Sequence, residues 1–410
     1  MNTNRGSAPK SALELGIGQG NDLPAEQRAD TSNWTLPPYN RWSFQRVQQF
    51  TRTLRVARAE QPSVLEEHHQ DLSKITFVDC AGESSTVDEM LTRTYTDGFL
   101  VMHKGKILTE QYFNGMDRST LHLIMSCSKS ITSAVAGIYI ENGTLDPSAQ
   151  LTQYLPELTD SGMAGATLQQ ALDMQVGVKF DEDYADLDGD WRQCEIATGW
   201  RETPADYDGP RDQLSYAQTL TDRIAEHGAS FHYQSILTDV IGCCLERVSG
   251  RSFAELLAEH LWTPIGAEQD LVSIIDSAGT MVFEGGFNVC LRDFARFGLL
   301  VSHDGRYHGQ QLLPKAWLQE CRKPSDALLA AFAASEYAAV MPSGAYHNQW
   351  WVRNPDHGIT MALGIHGQIL YVDCERELVA AKFSSQPEQD NIAMALDQML
   401  AFETIANSVG

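Results

Sequence analysis

The sequence predicts a mixed α/β protein of the α+β kind: an antiparallel sheet flanked by helices, with an all-α segment inserted between its two halves. Three observations predict it. Early in the chain, residues 97–103 and 107–113 are apolar-rich runs around Lys104-Gly105-Lys106, the pattern of a β-hairpin with Gly105 in its turn. Late in the chain, 349–352, 360–365, 369–373 and 377–383 read as successive antiparallel strands. Between these regions, 148–154, 167–173, 214–226, 238–250 and 253–261 carry helical spacing, joined by Asp- and Gly-rich loops. Both ends then build one domain and the middle is an insertion. The expected divisions are a flexible N-terminal extension over 1–32, an α/β domain from 33–145 and 276–410, and a helical domain with a lid loop over 146–275.

Taken in order, residues 1–32 are rich in Gly, Ser, Asn, Asp and Glu and read as a flexible or draped extension. Aromatics and prolines over 33–46 mark the start of order. The hairpin leads directly into 123–143, a short polar start followed by a helix with Ile131, Ala134, Val135 and Ile138 on one apolar face and Gly143 as its C-terminal stop. After the helical block come the Gly285-Gly286 turn, an amphipathic helix near 292–302, the meander, and a closing helix over about 390–405.

Composition narrows the function. At 410 residues and 43% hydrophobic, the chain can bury a large core. Its 54 acidic against 30 basic residues give a formal charge of −24, which argues against nucleic acid and anionic membrane surfaces as partners. The first residues lack an apolar signal region and no later run is long enough to span a bilayer, so a soluble, cytoplasmic enzyme is expected. Eight cysteines form no C-x-x-C pair and sit in apolar contexts, as reduced, buried thiols do. No H-E-x-x-H, phosphate-loop or G-x-S-x-G motif occurs. An EF-hand loop starting at Asp186 fails, because Trp191 and Ala197 stand where Gly and Glu are required. No metal or cofactor is expected.

Chemistry concentrates at Ser126-Cys127-Ser128-Lys129. A three-residue spacing puts a hydroxyl and an amine on the same side of a first helical turn. A serine hydroxyl needs an adjacent base to attack a carbonyl carbon, and a buried amine at the positive end of a helix favours its neutral, basic form. The helix start also offers the Ser126 N–H to a developing oxyanion. Cys127 would face about a hundred degrees away and pack. The tetrad alone is not decisive, since Ser7-Ala8-Pro9-Lys10 matches it in a segment with no helical pattern.

Partners elsewhere strengthen it. Tyr233-Gln234-Ser235 runs into a helix and offers a phenol to relay a proton and a hydroxyl to hold that network, although spacing alone favours an aromatic core residue before a helix cap. Gly364-Ile365-His366-Gly367-Gln368 places polar residues beside glycines that admit close backbone approach. The acidic segment 181–195 could hold a substrate ammonium through one carboxylate, Glu195 being the candidate, or be a solvated loop.

These three constellations, in this order, resemble the serine hydrolases of the β-lactamase and penicillin-binding-protein superfamily, and within it the 6-aminohexanoate-dimer (nylon-oligomer) hydrolases. The likeness runs from about Asn33 to the last helix. It includes Pro37-Pro38-Tyr39-Asn40-Arg41-Trp42, Tyr95-Thr96-Asp97, Leu172-Asp173-Met174-Gln175, Glu182-Asp183-Tyr184, Gly199-Trp200-Arg201 and Gln349-Trp350-Trp351. The resemblance implies a β-lactamase-like fold and a homodimer. It implies Ser126 as acylated nucleophile, Lys129 as base and Tyr233 as proton relay to the leaving amine. The Ser126 and Ile365 N–H groups would form the oxyanion hole, and Tyr184 and Trp200 would line a mobile lid.

Two departures matter. Ser235 and His366-Gly367-Gln368 replace the Tyr-x-Asn and Lys-Thr-Gly patterns of penicillin-processing members, so β-lactam or D,D-peptide turnover is less expected than amide or ester hydrolysis. Glu284 stands before Gly285-Gly286 where the nylon hydrolases lead one to expect asparagine. Ser235, Glu284 and His366 complete the expected substrate-binding set with Tyr184, Glu195 and Trp200. The expected activity is hydrolysis of small linear amides, of the 6-aminohexanoate-oligomer or aminoacyl kind, through an acyl-enzyme. The alternative is a carboxylesterase using the same site.

Overall fold

The computed structural model describes residues 8–184, 186 and 188–409. Its centre is an eight-stranded sheet built from β1 (Glu66–Glu67), β2 (Thr96–His103), β3 (Lys106–Tyr112), β4 (Ala345–His347), β5 (Trp350–Asn354), β6 (Ile359–Gly364), β7 (Gln368–Asp373) and β8 (Leu378–Ser384). The strand order is β4-β5-β6-β7-β8-β2-β3-β1. All pairs are antiparallel except β1 with β3. The C-terminal meander therefore closes onto the N-terminal hairpin, with Ala380 opposite Val101. The hairpin turn has Lys104 at φ 48° and Gly105 at φ 76°, the two left-handed positions of a tight two-residue turn.

Four helices position the site: α1 (Ser128–Glu141), α2 (Ile236–Ser249), α3 (Leu291–Ser302) and α4 (Ile392–Val409). The sheet is buried on both faces. On one, Phe402 of α4 stacks on Phe99 and meets Tyr371 edge-on. On the other, Phe294 and Phe297 of α3 stack on Phe383 and Trp350. Gly298 lets α3 approach closely: a Cβ there would stand 2.5 Å from Val379 Cγ1. The insertion between β3 and β4 includes the helix-rich block that carries α2, so the architecture is the one expected, an antiparallel sheet flanked by helices with an inserted all-α domain.

Three local features go beyond the sequence pattern. Helix 214–226 is Gln213–Thr219 only, because the following backbone is taken by the neighbouring loop: Leu220 and Asp222 carbonyls accept from Gly162 and Lys179. Residues 8–32 take the draped form of the two expected and are laid against the body. Ser11 caps the short helix Ala12–Leu15, and Ile17 and Ala29 are buried in one cluster with Trp34 and Trp200. A second sheet, of Thr53–Val56, Leu271–Ile274, Phe287–Val289 and His122–Leu123, has strands of two to four residues, too short for periodicity to reveal. No helix among the described residues is long and apolar enough to cross a membrane.

Candidate active site

The small sheet delivers the site. His122–Leu123 pairs with Phe287–Val289, and the Ile124 N–H donates to the Phe287 carbonyl, so Glu284-Gly285 is held beside the turn that begins at Met125. That turn, Met125–Cys127, is a single 3-10 turn that feeds α1. Met125 sits at φ 49°, a left-handed conformation that costs a side-chain-bearing residue roughly 1–2 kcal/mol and presents Ser126 at the corner. Gly364 abuts the same corner: a Cβ there would come 2.7 Å from the Ile124 carbonyl oxygen.

Helix α1 is enclosed all round rather than on one face. Its inward hydroxyls are satisfied by backbone, Ser130 and Ser133 donating to the Gln349 and Asn348 carbonyls at 2.8 and 2.6 Å. Cys127 is buried and burial pushes its thiol up, as fits a packing residue. The second S-x-x-K match begins at Ser7, outside the described residues, and Lys10 there is exposed.

Lys129 is buried, and its Nζ lies 2.9 Å from Ser126 Oγ, 2.9 Å from Ser235 Oγ and 2.7 Å from the Glu284 carbonyl oxygen. The Tyr233 ring lies 5.2 Å from the same nitrogen and stacks on Trp351 at 5.4 Å. Burial raises the Tyr233 phenol well above the ordinary range, with the Ser126 side chain in hydrogen-bonding reach. Such a phenol keeps its proton until a stronger base forms beside it.

The partners of Lys129 have fixed polarities. The Glu284 carbonyl can only accept. Ser235 spends its own hydrogen on Glu182: its Oγ donates to Glu182 Oε1 at 2.7 Å and its N–H to Oε2 at 2.8 Å. Ser235 Oγ must therefore accept from Lys129. A neutral amine has two N–H bonds and one lone pair. As an ammonium Lys129 donates to all three oxygens; once it has given up one proton, the two fixed acceptors hold its remaining N–H bonds and the lone pair faces the Ser126 hydroxyl, the direction of proton transfer that activates a nucleophile.

In the sequence Glu182 is only part of a motif, and the spacing gives no sign that it meets Ser235, 53 residues on. It grips the residue that opens α2 and also accepts from the Tyr184 hydroxyl at 2.8 Å. Asp239 was likewise missed, although a lone acid inside Ile236-Leu237-Thr238-Asp239-Val240-Ile241 was a visible signal. Its Oδ1 accepts from the Phe283 and Glu284 N–H groups at 3.0 and 3.1 Å, fixing the carbonyl that Lys129 uses. Burial, and then Glu284, raises the Asp239 carboxyl well above its ordinary range. Glu284 is also raised, by burial, against the pull of Lys129. Its Oε1 accepts from Trp200 Nε1 at 2.9 Å and its Oε2 is 3.8 Å from Lys129 Nζ.

Ser126, Glu284, Ile365 and His366 line a cavity of about 210 Å³. Tyr184, Glu195 and Trp200 line the same cavity. The Ser126 and Ile365 N–H groups have no hydrogen-bond partner among the described residues. His366 Nδ1 lies 2.7 Å from the Gln386 carbonyl, and burial lowers its pKa to about 4, so its ring is a neutral strut of the turn. A larger open groove of about 770 Å³, near Ser302, His357 and Cys374, holds none of these residues.

Glu195 departs from its expected role. Its Oε2 already accepts from Arg192 and, at 2.6 Å, from Arg201 Nε, so its charge is shared by two cations of the protein itself. Burial still pushes its carboxyl up to about 7.

Residues 85–401 match the family model described as beta-lactamase. The chain belongs to the β-lactamase family. It is similar to the 6-aminohexanoate-dimer hydrolase of Paenarthrobacter ureafaciens, 32% identical over 358 residues, covering 87% of this chain and 88% of that protein. A Bacillus anthracis structure, described as a candidate 6-aminohexanoate-dimer hydrolase, superposes with a TM-score of 0.86 at 28% identity over 94% of this chain and 98% of that one. A D-stereospecific amidohydrolase of a Streptomyces species shares the fold alone, with a TM-score of 0.53 and 16% identity over 73% of this chain and 92% of that one. This member of the β-lactamase family is thus a superfamily hydrolase related to the nylon-oligomer hydrolases. Its Trp200 is held by Trp34, whose ring stacks at 5.7 Å and whose Nε1 donates to the Trp200 carbonyl. Within the family fold, the N-terminal segment therefore supports one wall of the cavity.

Proposed function

We propose that this protein hydrolyses linear amides of small molecules through an acyl-enzyme on Ser126. The observation that carries the reading is the set of contacts at Lys129: two fixed acceptors, the Ser235 hydroxyl and the Glu284 carbonyl, and Ser126 Oγ at 2.9 Å as the third partner, the one that faces the lone pair of the neutral amine. Lys129 takes the Ser126 proton as Oγ attacks the carbonyl carbon. The oxyanion that forms is stabilised by the Ser126 and Ile365 N–H groups. Tyr233 passes a proton to the departing amine, and water then releases the acid. The relationship to 6-aminohexanoate-dimer hydrolase supports an amide rather than a β-lactam substrate. The runner-up is a carboxylesterase with the same nucleophile.

The two readings separate at Tyr233, because an alkoxide or phenolate leaves with less protonation than an amine needs. For one acyl group presented as p-nitroanilide and as p-nitrophenyl ester, Tyr233→Phe lowers kcat/KM for the anilide by roughly 10²–10³ and for the ester by less than about 10-fold. Turnover of esters alone by the unaltered protein would make it a carboxylesterase. Equal losses on both substrates would remove Tyr233 from the leaving-group step.

A further inference from the structure

The cavity lined by Ser126 is also lined by two arginines. Arg192 lies on the helix Asp190–Ala197 and Arg201 just beyond it, and both line the cavity. Their side chains are only 12% and 22% exposed, yet Glu195 is the one carboxylate they share. Each guanidinium has five N–H bonds, and among the described residues each makes a single hydrogen bond, Arg192 through Nη1 and Arg201 through Nε, both to the same Glu195 oxygen. Two guanidiniums on one carboxylate leave most of their N–H donors unspent at the cavity lining. Glu284, the other acid lining the cavity, makes no hydrogen bond to either arginine among the described residues; its carboxylate meets Trp200 Nε1 and lies 3.8 Å from Lys129 Nζ.

We propose that Arg192 and Arg201 dock a carboxylate at the far end of the substrate's acyl group, so that the preferred substrates are half-amides of short dicarboxylic acids. This rests on the acyl-enzyme reading. Tyr233, which serves the leaving amine there, does not line this cavity, whereas Ser126 and Ile365 do, so the cavity takes the acyl half. A guanidinium pair presents parallel N–H bonds to a carboxylate, and a mostly buried setting strengthens that contact. Glu195 acts as the strap that holds the two guanidiniums side by side. An acyl chain ending in an ammonium group would meet like charge.

Binding and turnover test this separately. On Ser126→Ala, calorimetry compares adipic acid monomethylamide with its methyl ester and with 6-aminohexanoic acid methylamide. The carboxylate ligand is expected to bind at least about tenfold more tightly than the ester, and the ammonium ligand more weakly than either. Adding Arg201→Gln brings carboxylate and ester affinities together, and Arg201→Lys keeps part of the difference because it keeps the charge. On the protein with Ser126 intact, the kcat/KM ratio of adipoyl to neutral acyl anilides follows the same order, mainly through KM. Ester or ammonium binding as tight as carboxylate binding, or a carboxylate preference that survives the double variant Arg192→Gln/Arg201→Gln, would overturn the proposal. A carboxylate preference in binding with no turnover of any anilide or ester would support the docking site and sink the hydrolase reading instead.

Discussion

Lys129→Met lowers kcat/KM for amide substrates by roughly 10⁴-fold while the protein remains folded. Methionine keeps the length and the apolar stem of the side chain and removes only the amine. Ser126 then has no base to receive its proton, and Ser235 Oγ and the Glu284 carbonyl lose their donor. Glu284, with its pairing cation gone, takes up a proton more readily, which limits the damage to stability. A thermal midpoint measured beside the steady-state kinetics separates lost chemistry from lost fold. Retention of even a tenth of the activity in a well-folded Lys129→Met protein would remove lysine as the base.

Glu182→Gln has the second largest effect, a loss of roughly 10²-fold in kcat with little change in KM. The substitution is nearly isosteric, so packing is retained. Its consequence is electrostatic: a carboxylate only accepts, whereas a carboxamide also donates. Once the carboxamide donates to Ser235 Oγ, Ser235 can turn its hydrogen toward Lys129 and compete with Ser126 for the lone pair. Ser235→Ala, which deletes the competing hydroxyl, should recover part of the loss in the double variant. Additive losses in that double variant would show that Glu182 acts only by holding the start of α2.

Much of this was legible in the chain because the elements carry their own periodicity. Strands β2, β3 and β5 to β8 fall within two residues of the runs at 97–383 from which they were read, and α1 ends at the stop supplied by Gly143, which takes φ 76°. Short strands were not legible, since two residues such as His122–Leu123 have no alternation to read, yet they set the position of Ser126. The end of the helix at Thr219 was set by backbone partners on another loop, not by a stop signal in its own residues.

The site divides in the same way. Ser126, Lys129 and Tyr233 could be named from local spacing and resemblance, and the fold brings all three together. Glu182 could not be given a role, because its value lies in meeting Ser235 across the fold and it sits among many acids. Glu195 misled for the same reason: the sequence shows an acid in an acidic loop, while the fold brings two arginines onto it.

Acylation of Ser126 is tested by intact-protein mass spectrometry during turnover of a p-nitroanilide, followed by peptide mapping of the adduct. A single added acyl mass is expected on the peptide that contains Ser126, absent in Ser126→Ala. No adduct under rapid quenching, an adduct mapped to another residue, or undiminished turnover in Ser126→Ala would contradict it.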